Sequence, residues 1–156
     1  MIDFIAQHCI AHHQSITTAE SCTGGLLAGA LTEISGSSQW FQQGWVTYSN
    51  EAKERLLKVQ AATLEQYGAV SEATVQEMAE NARILALSDY AIAISGIAGP
   101  TGGSAEKPVG TVWFACATER QTITEKQHFQ GNRSQVRQQA VNHALQMIQQ
   151  ALFVKN

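Results

Sequence analysis

The sequence predicts an α/β fold, a three-layer α/β/α sandwich around a mixed β-sheet. Three observations carry that expectation. Helix-like and strand-like segments alternate over the first two thirds of the chain; YAIAISGI (residues 90–97) is a continuous apolar run of the kind that fills a central strand covered on both faces; and two strand-like segments follow each other late in the chain. Alternation calls for parallel pairing and the late pair for an antiparallel hairpin, so the sheet should be mixed.

Taken in order, residues 2–13 read as an amphipathic helix with Ile2, Ile5 and Cys9 at helical spacing. Residues 15–19 form a short strand and 24–34 a buried helix, followed by a turn at SGSS (35–38). GWVTYS (44–49) reads as the second strand, and Asn50 is placed to cap a helix through residue 57. S-E-A-T at 71–74 is the start signal of a long helix to about residue 87. Residues 109–118 and 122–129 are the paired strands. Residues 132–153 close the chain as a helix with Val136, Ala140, Val141, Ala144 and Ile148 facing inward. At 156 residues without a linker or repeat, the chain is expected to be one domain, residues 1–156.

Composition narrows the function classes. Hydrophobic residues are 44% and charged residues 15%, a globular balance. Ten Lys and Arg against thirteen Asp and Glu give a formal charge of −3 with no basic cluster, so no nucleic-acid partner is expected. Apolar runs are too short for a bilayer span, and MIDFIAQHC lacks the basic start of a signal peptide. Cys9, Cys22 and Cys116 are odd in number and lack metal-ligand spacing, which fits free thiols in the cytoplasm. His8 and His12 share a helix face but find no third ligand, so no metal is expected.

Four clusters carry the candidate chemistry. TTAESCTGG (17–25) sets Ser21 where a strand ends and a helix begins, either as a cap or as a nucleophile, with Thr23, Gly24 and Gly25 able to offer main-chain donors. Cys22 is the rival nucleophile, but no histidine stands near in sequence to deprotonate it. VTYSNEAK (46–53) brings Tyr48 and Lys53 to a strand end, where a desolvated lysine serves as a base or a solvated one does nothing. GIAGPTGGSAEKPVG (96–110) holds five glycines and two prolines, including Gly96, Gly99, Gly102 and Gly103 around Thr101. That density suits either an anion-binding loop or a wide connection. Finally, FQGNRSQVR puts Arg133 and Arg137 at a helix start, where two cations oppose the helix dipole unless an anion joins them.

TAESCTGG, GSSQWF, VTYSNEAK, TLEQYGAVSE, ISGIAGPTGG, EKPVGTVWFA and FQGNR…VR occur in order along nearly the whole chain. In that combination the sequence resembles the CinA C-terminal domain family. The resemblance implies a fold similar to anticodon-binding-like α/β/α domains. For stand-alone members it implies a nicotinamide-nucleotide amidohydrolase that releases ammonia from nicotinamide mononucleotide without metal or other cofactor. On that template Ser21 is the nucleophile, Lys53 its base and Tyr48 an orienting group. The loop 96–103 and Arg133 would line the nucleotide site, with Arg133 near the phosphate and Thr23, Gly24, Gly25 and Arg137 beside it. A homo-oligomer, a dimer or higher, is also expected. Asn132 departs from the family's usual aspartate; it preserves a helix cap but removes a carboxylate beside Arg133. The alternative is a non-catalytic nucleotide- or phosphosugar-binding module. A DNA-uptake or damage-response role, which the family name suggests, finds no basic surface.

Overall fold

The computed structural model describes residues 1–153. Strands β1 (Ile16–Glu20), β2 (Phe41–Val46), β3 (Tyr90–Gly96), β4 (Thr111–Ala117) and β5 (Thr122–His128) form one sheet in the order β2-β1-β3-β4-β5. β1 runs parallel to β2 and β3, whereas β3, β4 and β5 pair antiparallel, so the sheet is mixed as the sequence predicts. Among the described residues, six α-helices and a 3-10 turn (Ser37–Gln39) complete the fold: α1 (Ile2–His12), α2 (Leu26–Thr32), α3 (Asn50–Leu57), α4 (Ala61–Tyr67), α5 (Glu72–Ala86) and α6 (Arg133–Phe153).

The period-2 pattern of β3 decides which helices lie on which face. Ile92 and Ile94 point to one side, together with Ile16, Val112, Phe114 and Cys116, and pack under α1, α2 and α6. Ala91 and Ala93 point to the other side, joined by Ala19, Ala115 and Ala117, and meet Val75, Met78, Ala79 and Ala82 of α5. The small side chains let α5 settle close to the sheet, while the bulky face is filled by larger neighbours such as Leu27, Leu31 and Trp40. Fully burying each large apolar side chain is worth about 1.5–3 kcal/mol. The five residues of α6 expected to face inward are all buried.

Local chemistry places the boundaries. Ser71 caps α5 by accepting from the Thr74 amide at 3.2 Å. Asn132 and Gln135 form a reciprocal box at the start of α6, in which Oδ1 of Asn132 accepts from the Gln135 amide at 3.0 Å and Oε1 of Gln135 accepts from the Asn132 amide at 2.8 Å. Three expectations need correction. The second strand covers Phe41–Val46 rather than 44–49, because Phe41 pairs with Ile16 and the polar Gln42 and Gln43 are tolerated on an edge strand. Ser49, not Asn50, caps α3, accepting from the Ala52 amide at 3.0 Å. A short helix, α4, occupies a stretch that the sequence reading left without an element; its single buried side chain, Leu64, gives no periodic signal.

Gly96 ends β3 against β4 with no room to spare. A Cβ there would lie 2.6 Å from Cγ2 of Val112 and 2.9 Å from the Thr111 carbonyl oxygen. Gly96→Ala is expected to destabilise the fold by about 1–3 kcal/mol, since the strand pair must open to admit a methyl group. Urea unfolding measures this, and an unchanged midpoint would show slack between β3 and β4.

Candidate active site

Ser21 is the first residue beyond β1. Its amide continues the β1–β3 ladder by donating to the Ile94 carbonyl at 2.9 Å, and its carbonyl accepts from the Gly24 amide at 3.0 Å, closing a tight turn. Gly24 and Gly25 adopt φ of +59° and +98°, which glycine enters without steric cost. Helix α2 starts only at Leu26, so Ser21 does not cap it. Glu20 takes that task. Its fully buried carboxylate accepts from the amides of Leu27 at 2.9 Å and Ala28 at 3.0 Å, placing a negative charge at the helix N-terminus.

The Ser21 hydroxyl is thereby left for Lys53. Nζ of Lys53 donates to Oγ of Ser21 at 3.0 Å and to the Thr47 carbonyl at 2.8 Å. Lys53 is 1% exposed and, among the described residues, has no carboxylate partner. Burial lowers its pKa from 10.5 to about 8, against a smaller opposing effect of the Cys22 thiol. The same desolvation pushes Cys22 up to about 11, so it stays a neutral thiol near pH 7. Beside Ser21, Cys22 is 6% exposed and belongs to the apolar core.

Both arginines of α6 reach back over the strand ends. Arg133 donates from Nη1 to the Gly99 carbonyl at 2.9 Å and from Nη2 to the Tyr48 hydroxyl at 2.8 Å. Tyr48 itself is 59% exposed at the rim. These two contacts hold Arg133 without the carboxylate that Asn132 lacks. Arg137 donates from Nε to the Cys22 carbonyl at 3.0 Å and from Nη2 to the Thr23 carbonyl at 3.1 Å.

These groups surround a cleft of about 270 Å³ beyond the carboxyl ends of β1, β2 and β3. Of the residues singled out in the sequence, Ser21, its rival Cys22, Tyr48, Lys53, Gly96, Gly99, Thr101, Gly102 and Arg133 line it. Thr23, Gly24, Gly25, Gly103 and Arg137 are not part of that lining. Gly103 packs on the next strand's approach, where a Cβ would come within 2.7 Å of the Val109 nitrogen. The cleft also takes in Asn50, read in the sequence only as a helix cap, and Ala69, Val70 and Ser95, which the sequence reading did not single out. Ser95 donates its hydroxyl to the Ala69 carbonyl at 2.7 Å and so pins the segment between α4 and α5 over the crevice. Glu20 was visible in TAESC, yet a glutamate gives no hint in sequence that it will be buried.

Relatives share this arrangement of segments over nearly their full length. The nicotinamide-nucleotide amidohydrolase PncC of Escherichia coli strain K12 is 55% identical over 153 residues, covering 97% of this chain and 92% of its own length. PncC of Enterobacter agglomerans is 57% identical over 142 residues, covering 90% and 86%. A solved CinA superfamily protein from Klebsiella pneumoniae superposes with a TM-score of 0.93 at 45% identity, covering 97% of this chain and 94% of the other. The family model of the CinA C-terminal domain matches residues 1–152, and the chain belongs to the CinA C-terminal domain family.

Proposed function

We propose that this chain is a nicotinamide-nucleotide amidohydrolase, which hydrolyses the carboxamide of nicotinamide mononucleotide to nicotinic acid mononucleotide and ammonia by a serine–lysine mechanism. The observation that carries the mechanism is the 3.0 Å contact between a buried, uncompensated Lys53 amine and the Ser21 hydroxyl. The PncC relatives support the substrate, being nicotinamide-nucleotide amidohydrolases by name.

In its neutral form Lys53 keeps one N–H on the Thr47 carbonyl and turns its lone pair toward Ser21. Ser21 then attacks the carboxamide carbon as its proton passes to Nζ. The resulting ammonium returns that proton to the leaving nitrogen, ammonia departs, and an ester on Ser21 remains. Water, deprotonated by the same amine, hydrolyses the ester. Tyr48 accepts from Arg133, so its own O–H is free to donate toward the substrate and orient it. Arg133 keeps further N–H donors for the phosphate beside Thr101 and the loop 99–102. A module that only bound nucleotides would gain nothing from the cost of burying an unpaired lysine. The same proposal has the enzyme acting in the cytoplasm as a homo-oligomer. Its three buried free thiols suit a reducing compartment, and among the described residues no helix is long and apolar enough to cross a membrane.

Ser21→Ala is expected to abolish ammonia release from nicotinamide mononucleotide while nucleotide binding persists, and Cys22→Ala to retain most activity. An inactive Cys22→Ala enzyme that still folds would move the nucleophile to Cys22.

The rate should follow the ionisation of Lys53. Wild-type kcat/KM is expected to rise through a pKa of about 8 and level off above it. Lys53→Arg should be nearly inactive, because guanidinium stays protonated. Stability moves in the same direction, over a higher pH window. The unfolded chain keeps the lysine proton up to about pH 10.5 and the folded chain only to about 8, so unfolded molecules bind more protons between those values and wild-type stability rises with pH across that window. Below pH 8 the folded chain carries the whole penalty. Lys53→Met is therefore expected to be inactive yet more stable at pH 7, by up to about 3 kcal/mol, with a smaller gain at pH 9.5. Denaturant melts at both pH values check this, and equal stability of the two proteins at pH 7 would contradict it.

Arg133→Ala should raise KM for the nucleotide by about ten- to a hundredfold, as expected for one charged hydrogen bond. The effect on nicotinamide riboside, which lacks the phosphate, should be much smaller. Steady-state kinetics on both substrates decide it, and equal losses would remove the phosphate from the role of Arg133.

A further inference from the structure

Hydrolysis at Ser21 turns a neutral carboxamide into a carboxylic acid, and the crevice holds the two differently. The last bond to break joins the acyl carbon to Oγ of Ser21, so the acid forms beside that oxygen, with Nζ of Lys53 3.0 Å away from it. Reacting groups in a productive pose lie about 3–3.5 Å apart. The new carboxyl group therefore forms close to the range of roughly 4–6 Å in which opposite charges favour each other. Water gives one proton to the amine as it attacks the ester, and the amine returns that proton to Oγ as the C–O bond breaks. The second water proton stays on the acid. A carboxyl group of ordinary pKa, about 4, hands it on to Lys53, whose amine keeps a proton up to about pH 8. Carboxylate and ammonium then face each other.

No aspartate or glutamate lines the crevice among the described residues. Glu20 of β1 is bound to the Leu27 and Ala28 amides, and burial keeps the neighbouring Cys22 thiol neutral. From α6, Arg137 is spent on the Cys22 and Thr23 carbonyls, while Arg133 meets Tyr48 at the rim. On α5, which packs against α3, Glu72 is bonded to Thr124 and Glu77 to Gln60 and Thr63. Glu80 is bonded to Gln76 and Arg83 to the Ser88 carbonyl. The other charges of α3, Glu51, Glu54 and Arg55, are exposed. Lys53 is thus the group beside Ser21 whose charge changes between pH 7 and 9.5.

We propose that the crevice is also a carboxylate site, in which the ammonium form of Lys53 binds the acid that the reaction makes and so holds the enzyme inactive until acid and proton have both left. The inference rests on the amidohydrolase reading above. The carboxamide is uncharged and forms no such pair, so the protonated enzyme favours product and the neutral enzyme turns substrate over. Binding the acid draws a proton onto Lys53 and raises the pKa of that amine in the complex. By linkage, affinity for the acid is flat where the free enzyme is already protonated, below about pH 8, and falls as pH rises beyond it.

The test measures binding to Ser21→Ala, which turns nothing over, by titration calorimetry between pH 7 and 9.5. The two probes are nicotinic acid mononucleotide and nicotinamide mononucleotide. Both carry the same phosphate, whose second pKa of about 6 lies below that range, so a difference between them belongs to the acid or amide end. The acid is expected to lose roughly five- to tenfold in affinity from pH 8.5 to 9.5. It should also take up protons on binding, seen as a heat that changes with the ionisation enthalpy of the buffer. The amide should do neither. Lys53→Met should weaken the acid about tenfold at pH 7 and the amide less than about threefold, and should erase the pH dependence of the acid. Inhibition of wild-type ammonia release by added acid should follow the same pH profile, which keeps the test open if either variant fails to fold. Parallel pH profiles for acid and amide would overturn the proposal. So would a Lys53→Met protein that keeps the pH dependence, since the titrating group would then lie elsewhere. A wild-type enzyme that releases no ammonia at any pH would instead sink the amidohydrolase reading, while the two binding profiles on Ser21→Ala would still decide whether Lys53 receives a carboxylate.

Discussion

Lys53 sits in the interior with two neutral oxygens for company, and much of the crevice follows from that one contact. An ammonium ion loses hydration on burial and gains little from a hydroxyl and a carbonyl, so the folded chain holds the lysine proton less tightly than an exposed lysine would. A carboxylate placed beside it would repair the loss and restore the ordinary pKa, and the chemistry would go with it. The one fully buried carboxylate nearby, Glu20, is instead committed to the amides of α2. Keeping the two charges on separate partners is what lets the amine give up its proton near pH 8.

The topology explains why these groups meet. β1 lies between β2 and β3 with all three parallel, so their carboxyl ends open on the same side. Ser21 follows β1, Thr47 and Tyr48 follow β2, and the glycine loop follows β3. Lys53 comes one turn into the helix that leaves β2. The main chain then ties these exits together, since the Thr47 amide donates to the Glu20 carbonyl at 2.8 Å and the Ser21 amide to Ile94 at 2.9 Å. Distances between catalytic atoms are thus set by the sheet ladder, and the loops inherit its rigidity.

Much of this was legible in the chain. The alternation of elements, the apolar run at 90–97, the Ser71 and Asn132 caps and the inward stripe of α6 all come from patterns with a fixed period or a fixed cap chemistry. The hidden parts depended on tertiary context. Gln42 and Gln43 read as loop until β2 is known to be an edge. From its position alone Ser21 could be a cap or a nucleophile, because sequence cannot show that Glu20, one residue earlier, reaches the helix amides first. Arg133 and Arg137 look alike four residues apart, and only the fold sends one to the cleft and the other to the back of a turn.

The two sides of the sheet also differ in how they will respond to genetic drift. On the side of α1, α2 and α6, bulky residues such as Trp40, Phe114 and Ile92 fill the interior, and the damaging changes there are truncations that leave holes. On the α5 side, Ala19, Ala91, Ala93, Ala115 and Ala117 have almost no volume left to surrender. Of the residues one nucleotide away from alanine, all but glycine enlarge the side chain and push α5 outward, against a packing that leaves it nowhere to go. One half of the core is therefore vulnerable to loss and the other to growth, and a lineage of this protein can trade bulk between faces far less easily than within one.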